Sequence, residues 1–193
     1  TFNNRPNGLR RDVAEMLVGL KPAFFRWPGG CVVEGITLDN RFEWKKTLGD
    51  PAARPGEYST WGYRCPYGFG YYEMLQFCED IGAKAMFVCN VGLGCQFRMG
   101  DACGEHDIDF YIDDCLDAIE YALGDESTEW GARRVADGHP APFPLQYVEI
   151  GNENWGAEYD RRFDIFYKTI KEKYPQLTLI YNEMPQRVGA SQI

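Results

Sequence analysis

Gln146-Tyr147-Val148-Glu149-Ile150-Gly151-Asn152-Glu153-Asn154-Trp155 is the stretch on which the fold turns. Its first five residues form a short, mostly apolar run of strand length, and the run breaks at Gly151 directly into polar side chains. The same form recurs three times. Ala23-Phe24-Phe25-Arg26-Trp27 stops at Pro28-Gly29-Gly30, Lys84-Ala85-Met86-Phe87-Val88-Cys89-Asn90 meets Gly92 and Gly94, and Leu177-Thr178-Leu179-Ile180-Tyr181 stops at Asn182-Glu183. Helical spacing fills the intervals. Leu9, Val13, Met16, Leu17 and Leu20 precede the first strand; Tyr71, Leu75, Cys78 and Ile81, closed by Gly82, precede the second. Ile108, Ile112, Cys115, Leu116 and Ile119 precede the third, and Tyr159, Phe163, Phe166, Tyr167 and Ile170 the fourth.

Strands alternating with helices predict an α/β chain with a parallel sheet and crossover connections. Four strands in 193 residues cannot close a barrel of eight, which takes roughly 250 residues. The pattern therefore predicts either an open doubly wound sheet or part of a barrel, and periodicity does not choose between them. Two segments carry no clear period: the stretch 31–70, expected to be a long functional loop, and the Pro- and Gly-rich connection 124–144.

Composition narrows the partners. A net charge of −9 argues against nucleic acid or an anionic membrane surface, and no apolar run is long enough to span a bilayer. Aromatic residues at 15% suit stacking on sugar faces as well as a large core. The seven cysteines include no C-x-x-C pair and predict reduced, mostly buried thiols. His106 and His139 are expected in surface loops rather than as metal ligands. Gly68-Phe69-Gly70 and Gly92-Leu93-Gly94 lack the third glycine of a dinucleotide fingerprint, and no phosphate loop, H-E-x-x-H or G-x-S-x-G occurs. Thr1-Phe2-Asn3 reads like the interior of a longer sequence, so secreted, periplasmic and cytoplasmic settings all stay open.

In parallel α/β architectures ligands bind beyond the C-terminal strand ends. Those ends carry Arg26, Asn90, Asn152-Glu153 and Asn182-Glu183, which predicts one polar rim. Glu153 lies between Ile150 and Trp155 in sequence, and an apolar enclosure would raise its pKa, as protonation of a leaving oxygen requires.

Phe25-Arg26-Trp27-Pro28-Gly29-Gly30-Cys31-Val32-Val33-Glu34-Gly35 resembles the R-[FYW]-P-G-G segment of glycoside hydrolase family 51 α-L-arabinofuranosidases. Phe42-Glu43-Trp44-Lys45 with Leu48-Gly49, the block 77–83, and Tyr147-Val148-Glu149-Ile150-Gly151-Asn152-Glu153 are similar to its later blocks, in order. The resemblance implies a partial (β/α)₈ TIM barrel, about strands 2 to 5 with their helices, in a clan whose catalytic Asn-Glu pair ends strand 4. Residues 1–193 would then be a fragment of one glycosidase catalytic domain. By the same resemblance the enzyme is a retaining one that releases terminal α-L-arabinofuranosyl residues from arabinose-containing oligo- or polysaccharides, as in arabinan degradation. Glu153 is its general acid/base, Asn152 hydrogen-bonds a sugar hydroxyl, Arg26 lies beneath the site, and Cys31 lines the sugar pocket where the family often has Asn. Asn90 belongs to the rim, and Trp155 and Trp61 are candidates for sugar contact. No metal or organic cofactor is implied.

A retaining mechanism needs a second carboxylate about 5–5.5 Å from the first. The family takes it from strand 7, so it is expected outside this chain, and strand 1 is expected upstream. Glu183 is the one internal candidate, though the family pattern does not put a nucleophile there. The chain alone is expected to lack full activity, and its open edges and apolar faces invite self-association. Two alternative functions stand beside this one: a non-catalytic or vestigial carbohydrate-binding domain on the same fold, and another retaining glycosidase of the clan.

Overall fold

The computed structural model of the chain describes residues 1–182. Its elements follow the predicted alternation. Helix α1 (Arg11–Gly19) leads to strand β1 (Phe24–Trp27), and the short strands β2 (Glu57–Tyr58) and β3 (Arg64–Cys65) form a hairpin. Then come α2 (Tyr71–Ile81), β4 (Lys84–Cys89), α3 (Ile108–Leu123), α4 (Glu129–Ala136), β5 (Leu145–Ile150), α5 (Ala157–Lys173) and β6 (Thr178–Tyr181).

The main sheet has the order β1-β4-β5-β6, and every pairing in it is parallel. Each strand thus lies beside the next parallel strand of the chain. Crossovers are right-handed almost without exception, so a sheet wound without reversal carries all its helices on one face. A doubly wound sheet reverses its order and covers both faces. The topology therefore resolves the alternative that periodicity left open, in favour of an unclosed segment of barrel.

Alternation along the strands separates the two faces. Trp27, Ala85, Phe87, Cys89, Val148, Ile150 and Leu179 join the helix-side core with Tyr71, Leu75, Ile112, Ile119 and Phe166. Arg26 and Glu149 lie on the opposite face. At the centre of the core, Trp44 is 1% exposed, stacks edge-on against Tyr71 and Trp130, and donates its indole N–H to the Asp114 carbonyl at 3.1 Å.

Several local expectations need correction. The segment 31–70 is not a bare loop. It holds four 3₁₀ turns and the β2–β3 hairpin, packed through Trp44 and through Arg54, which grips Glu73 at 2.7 Å. The connection 124–144 contains α4, capped by Thr128, whose hydroxyl accepts from Gly131 N–H at 3.2 Å. His139 is no surface residue: its ring stacks on Phe143 with centroids 3.8 Å apart, and its two nitrogens bond Ala141 O and Glu79. His106 is exposed. Tyr167, predicted on the buried face of α5, is 43% exposed, and α1 buries Ala14 while Met16 and Leu20 face outward.

Candidate functional site

The polar strand ends do converge, and the first link is a backbone one. After β1 the chain turns at Gly29 and Gly30, with φ of +67° and +66°. A Cβ at Gly29 would lie 2.5 Å from Arg26 Nη1, so glycine both permits the turn and leaves room for the guanidinium. Arg26 then reaches across the sheet. Its Nε bonds Glu149, its Nη2 donates to Glu149 Oε1 at 2.7 Å, and the same nitrogen donates to Asn152 Oδ1 at 2.7 Å. This two-pronged pairing raises the already high guanidinium pKa, with the hydrogen bond to Glu149 the leading cause.

Asn152, 2% exposed, passes the network on. Its Nδ2 donates to Glu34 Oε2 at 2.9 Å. Glu34 is 1% exposed, and burial pushes its carboxyl up to about 7. The other oxygen, Oε1, is buried with no hydrogen-bond partner.

The turn after β5 holds Glu153 by a separate set of bonds. Asn152 N–H donates to Asn154 Oδ1 at 3.0 Å, and Asn154 N–H donates to Asn182 Oδ1 at 3.0 Å. Gln96 accepts from Trp155 N–H at 2.9 Å, while Asn182 Nδ2 donates to the Ile150 carbonyl at 2.6 Å. Within that frame Glu153 adopts φ +47°, a left-handed conformation uncommon for a non-glycine residue. Such strain is maintained where surrounding bonds fix it, often at functional sites. Its carboxylate is exposed, and Cys31 Sγ donates to Oε2 at 3.4 Å.

The burial expected around Glu153 is found at Glu34 instead. Ile150 turns toward the helices, where it is wholly buried, and so cannot enclose Glu153. Arg26, Cys31, Asn152 and Glu153 are thus brought into one connected group. Trp155 borders it, half-buried against Phe97 with ring centroids 4.9 Å apart. Trp61 is 52% exposed and lies over Gly30, 3.3 Å from where a Cβ would stand.

Asn90 is committed elsewhere. Its Nδ2 donates to Val33 O and Leu93 O, and its Oδ1 accepts from Gly92 and Leu93 N–H. Both amide protons and both lone pairs are used on the main chain, so Asn90 fixes the loop behind the site rather than facing a ligand. Sequence reasoning passed over Glu34, Gln96 and Asn154. Glu34 follows two valines and precedes a glycine, a signal of burial that could have been read. Glu183 lies outside the described residues.

Residues 16–191 match the family profile described as the alpha-L-arabinofuranosidase 1 domain. The chain is 40% identical to alpha-L-arabinofuranosidase 2 of Arabidopsis thaliana over 178 residues, which cover 91% of this chain and 26% of that protein. It is 37% identical to an extracellular exo-alpha-L-arabinofuranosidase of Streptomyces chartreusis, over 99% of this chain and 25% of the relative. An arabinose-bound family 51 α-L-arabinofuranosidase superposes with a TM-score of 0.91 at 37% identity, covering 100% of this chain and 31% of that one. The chain thus spans between a quarter and a third of the length of these relatives. On the profile match, the identities and the shared fold, it belongs to the α-L-arabinofuranosidases of glycoside hydrolase family 51.

Proposed function

We propose that this chain carries the acid/base half of a retaining α-L-arabinofuranosidase site. The observation that carries the reading is Glu153, an exposed carboxylate held at φ +47° beyond the end of β5, beside the Arg26–Asn152–Glu34 network. The substrate is a terminal α-L-arabinofuranosyl residue of an arabinose-containing oligo- or polysaccharide. The names of the relatives support that class.

The residues divide the work as follows. Asn152 spends one N–H on Glu34 and one lone pair on Arg26, which leaves one donor and one acceptor site for a sugar hydroxyl. Arg26 fixes the Asn152 amide and neutralises Glu149 below it. Cys31 borders the sugar beside Glu153. Trp155 and Trp61 offer ring faces to the sugar or to what it is attached to.

Glu153 protonates the departing oxygen as a second carboxylate attacks the anomeric carbon; it then deprotonates the water that releases the sugar. Glu149 is taken up by Arg26 and does not serve as nucleophile. The attacking carboxylate is assigned to the part of the family fold that these residues do not include, so the chain by itself lacks full activity.

In the full-length protein, Glu153→Gln is expected to abolish hydrolysis of arabinofuranosides with poor leaving groups, which need protonation. Activated aryl arabinofuranosides need none and should retain a larger fraction of their first step. An equal loss on both substrates argues against the acid role.

A further inference from the structure

Two loops beside this site bring two thiols and a carboxylate together. Cys31 and Glu34 stand one turn apart after β1, and Cys95 arrives from the loop after β4. One ligand atom from each lies within 4.8 Å of the other two. The main chain fixes all three. Val33 N–H bonds Gly30 O at 3.0 Å, Gly35 N–H bonds Cys31 O at 3.0 Å, and Cys95 N–H bonds Gly35 O at 3.3 Å. Cys95 is fully buried, Glu34 is 1% exposed, and Cys31 is half-buried at the outer end.

The unpartnered Glu34 Oε1 is the telling atom. A buried carboxylate oxygen without a partner is costly. A cation satisfies it. We propose that Cys31, Glu34 and Cys95 form a binding site for a thiophilic divalent cation of the zinc class, with three protein ligands and a fourth position left to water.

The donor set suits such an ion, since two sulfurs and one oxygen are a zinc-type combination and not a calcium or magnesium one. Tetrahedral zinc spaces its ligand atoms about 3.5 Å apart, so the cluster needs to tighten by little more than about 1 Å. Asn152 supplies the outer hydrogen bond that orients Glu34. Arg26 and Arg98 provide the positive field that offsets the remaining negative charge. Binding displaces one proton from each thiol, and from Glu34 where it is protonated, so affinity should fall as pH is lowered. Burial and the neighbouring Cys95 hold the Cys31 thiol up at about 12, which makes the cation itself the agent of ionisation. A Cys31–Cys95 disulfide would use both sulfurs yet leave Glu34 Oε1 unpaired.

The test does not read glycosidase activity, so it stands or falls apart from the function proposed above. The full-length protein is reduced, freed of metal with EDTA and titrated with Co²⁺ under argon, following the thiolate-to-cobalt charge-transfer absorption. The expected result is a band that saturates with one equivalent of Co²⁺ and is displaced by Zn²⁺. Cys31→Ser should weaken that band and the binding, Cys31→Ser with Cys95→Ser should remove it, Asn152→Ala should weaken binding about 10- to 100-fold, and Cys65→Ser, outside the cluster, should change nothing. Circular dichroism of each variant separates lost binding from lost folding. No band at a stoichiometric excess of cobalt overturns the proposal. So does a band of full intensity and unchanged affinity in a folded Cys31→Ser variant, or one that survives in the folded double variant.

Discussion

Replacing Arg26 with methionine keeps most of the aliphatic stem and removes the cation that faces Glu149. The Glu149 side chain is 9% exposed and that of Arg26 is 35% exposed, so the pair is buried on one side and wetted on the other. Breaking a fully buried pair from one end costs about 3–5 kcal/mol, because the remaining charge is stranded. Water access at Arg26 lowers that figure, and about 2–4 kcal/mol is expected for Arg26→Met. Glu149→Gln should cost less, about 1–2 kcal/mol, since the amide oxygen still accepts from the guanidinium. The double variant should lose less than the sum, with a coupling of about 1.5–3 kcal/mol. The assay is denaturant unfolding of the chain at constant pH, reading the midpoint at unchanged slope. Effects additive to within about 0.5 kcal/mol would refute the account of Arg26 as the centre of the network.

Other predictions rest on neighbouring contacts. Arg162, 1% exposed, donates to Val91 O, Gly92 O and Cys103 O. Arg162→Met strands those carbonyls and should cost about 3 kcal/mol in the same unfolding assay; a change below about 1 kcal/mol would contradict it. For Glu34 the folded pKa of about 7 lies above the ordinary 4.5, so the folded state holds the proton more tightly between those values. Its contribution to stability is therefore full below pH 4.5 and is lost as pH rises through 7, by at most about 3 kcal/mol. Glu34→Gln, measured without metal, should gain on the wild type from pH 4.5 to 8, and an unchanged difference between the two proteins would sink the argument.

Much of the architecture was legible in the sequence, for reasons that particular residues make plain. The four long-range strands announce themselves because each is a short apolar run cut by glycine, proline or asparagine. Helices α2, α3 and α5 are long enough for their periodicity to emerge. Helix α4 was not legible: it has eight residues, of which Trp130 and Val135 are its only large apolar ones. Winding order was also out of reach, since hydrophobic pattern specifies strands but not which strand neighbours which. At the site, the grouping of Arg26, Asn152 and Glu153 followed from their place at strand ends. What sequence could not give was direction. Ile150, adjacent in number to the turn, points away from Glu153, while Glu34 from a remote loop takes the dry position. Asn90 shows the same limit, because a strand-end amide can serve the chain as readily as a ligand.

The role of Glu153 is tested most directly by azide rescue of Glu153→Ala in the full-length protein, with an activated aryl α-L-arabinofuranoside as substrate. Without its acid/base, the enzyme should still form the glycosyl intermediate, and azide, needing no deprotonation, should then restore turnover. The predicted product is an arabinofuranosyl azide with the anomeric configuration of the substrate. An azide of inverted configuration would make Glu153 the nucleophile, and full activity without azide would remove it from the chemistry; either contradicts the account.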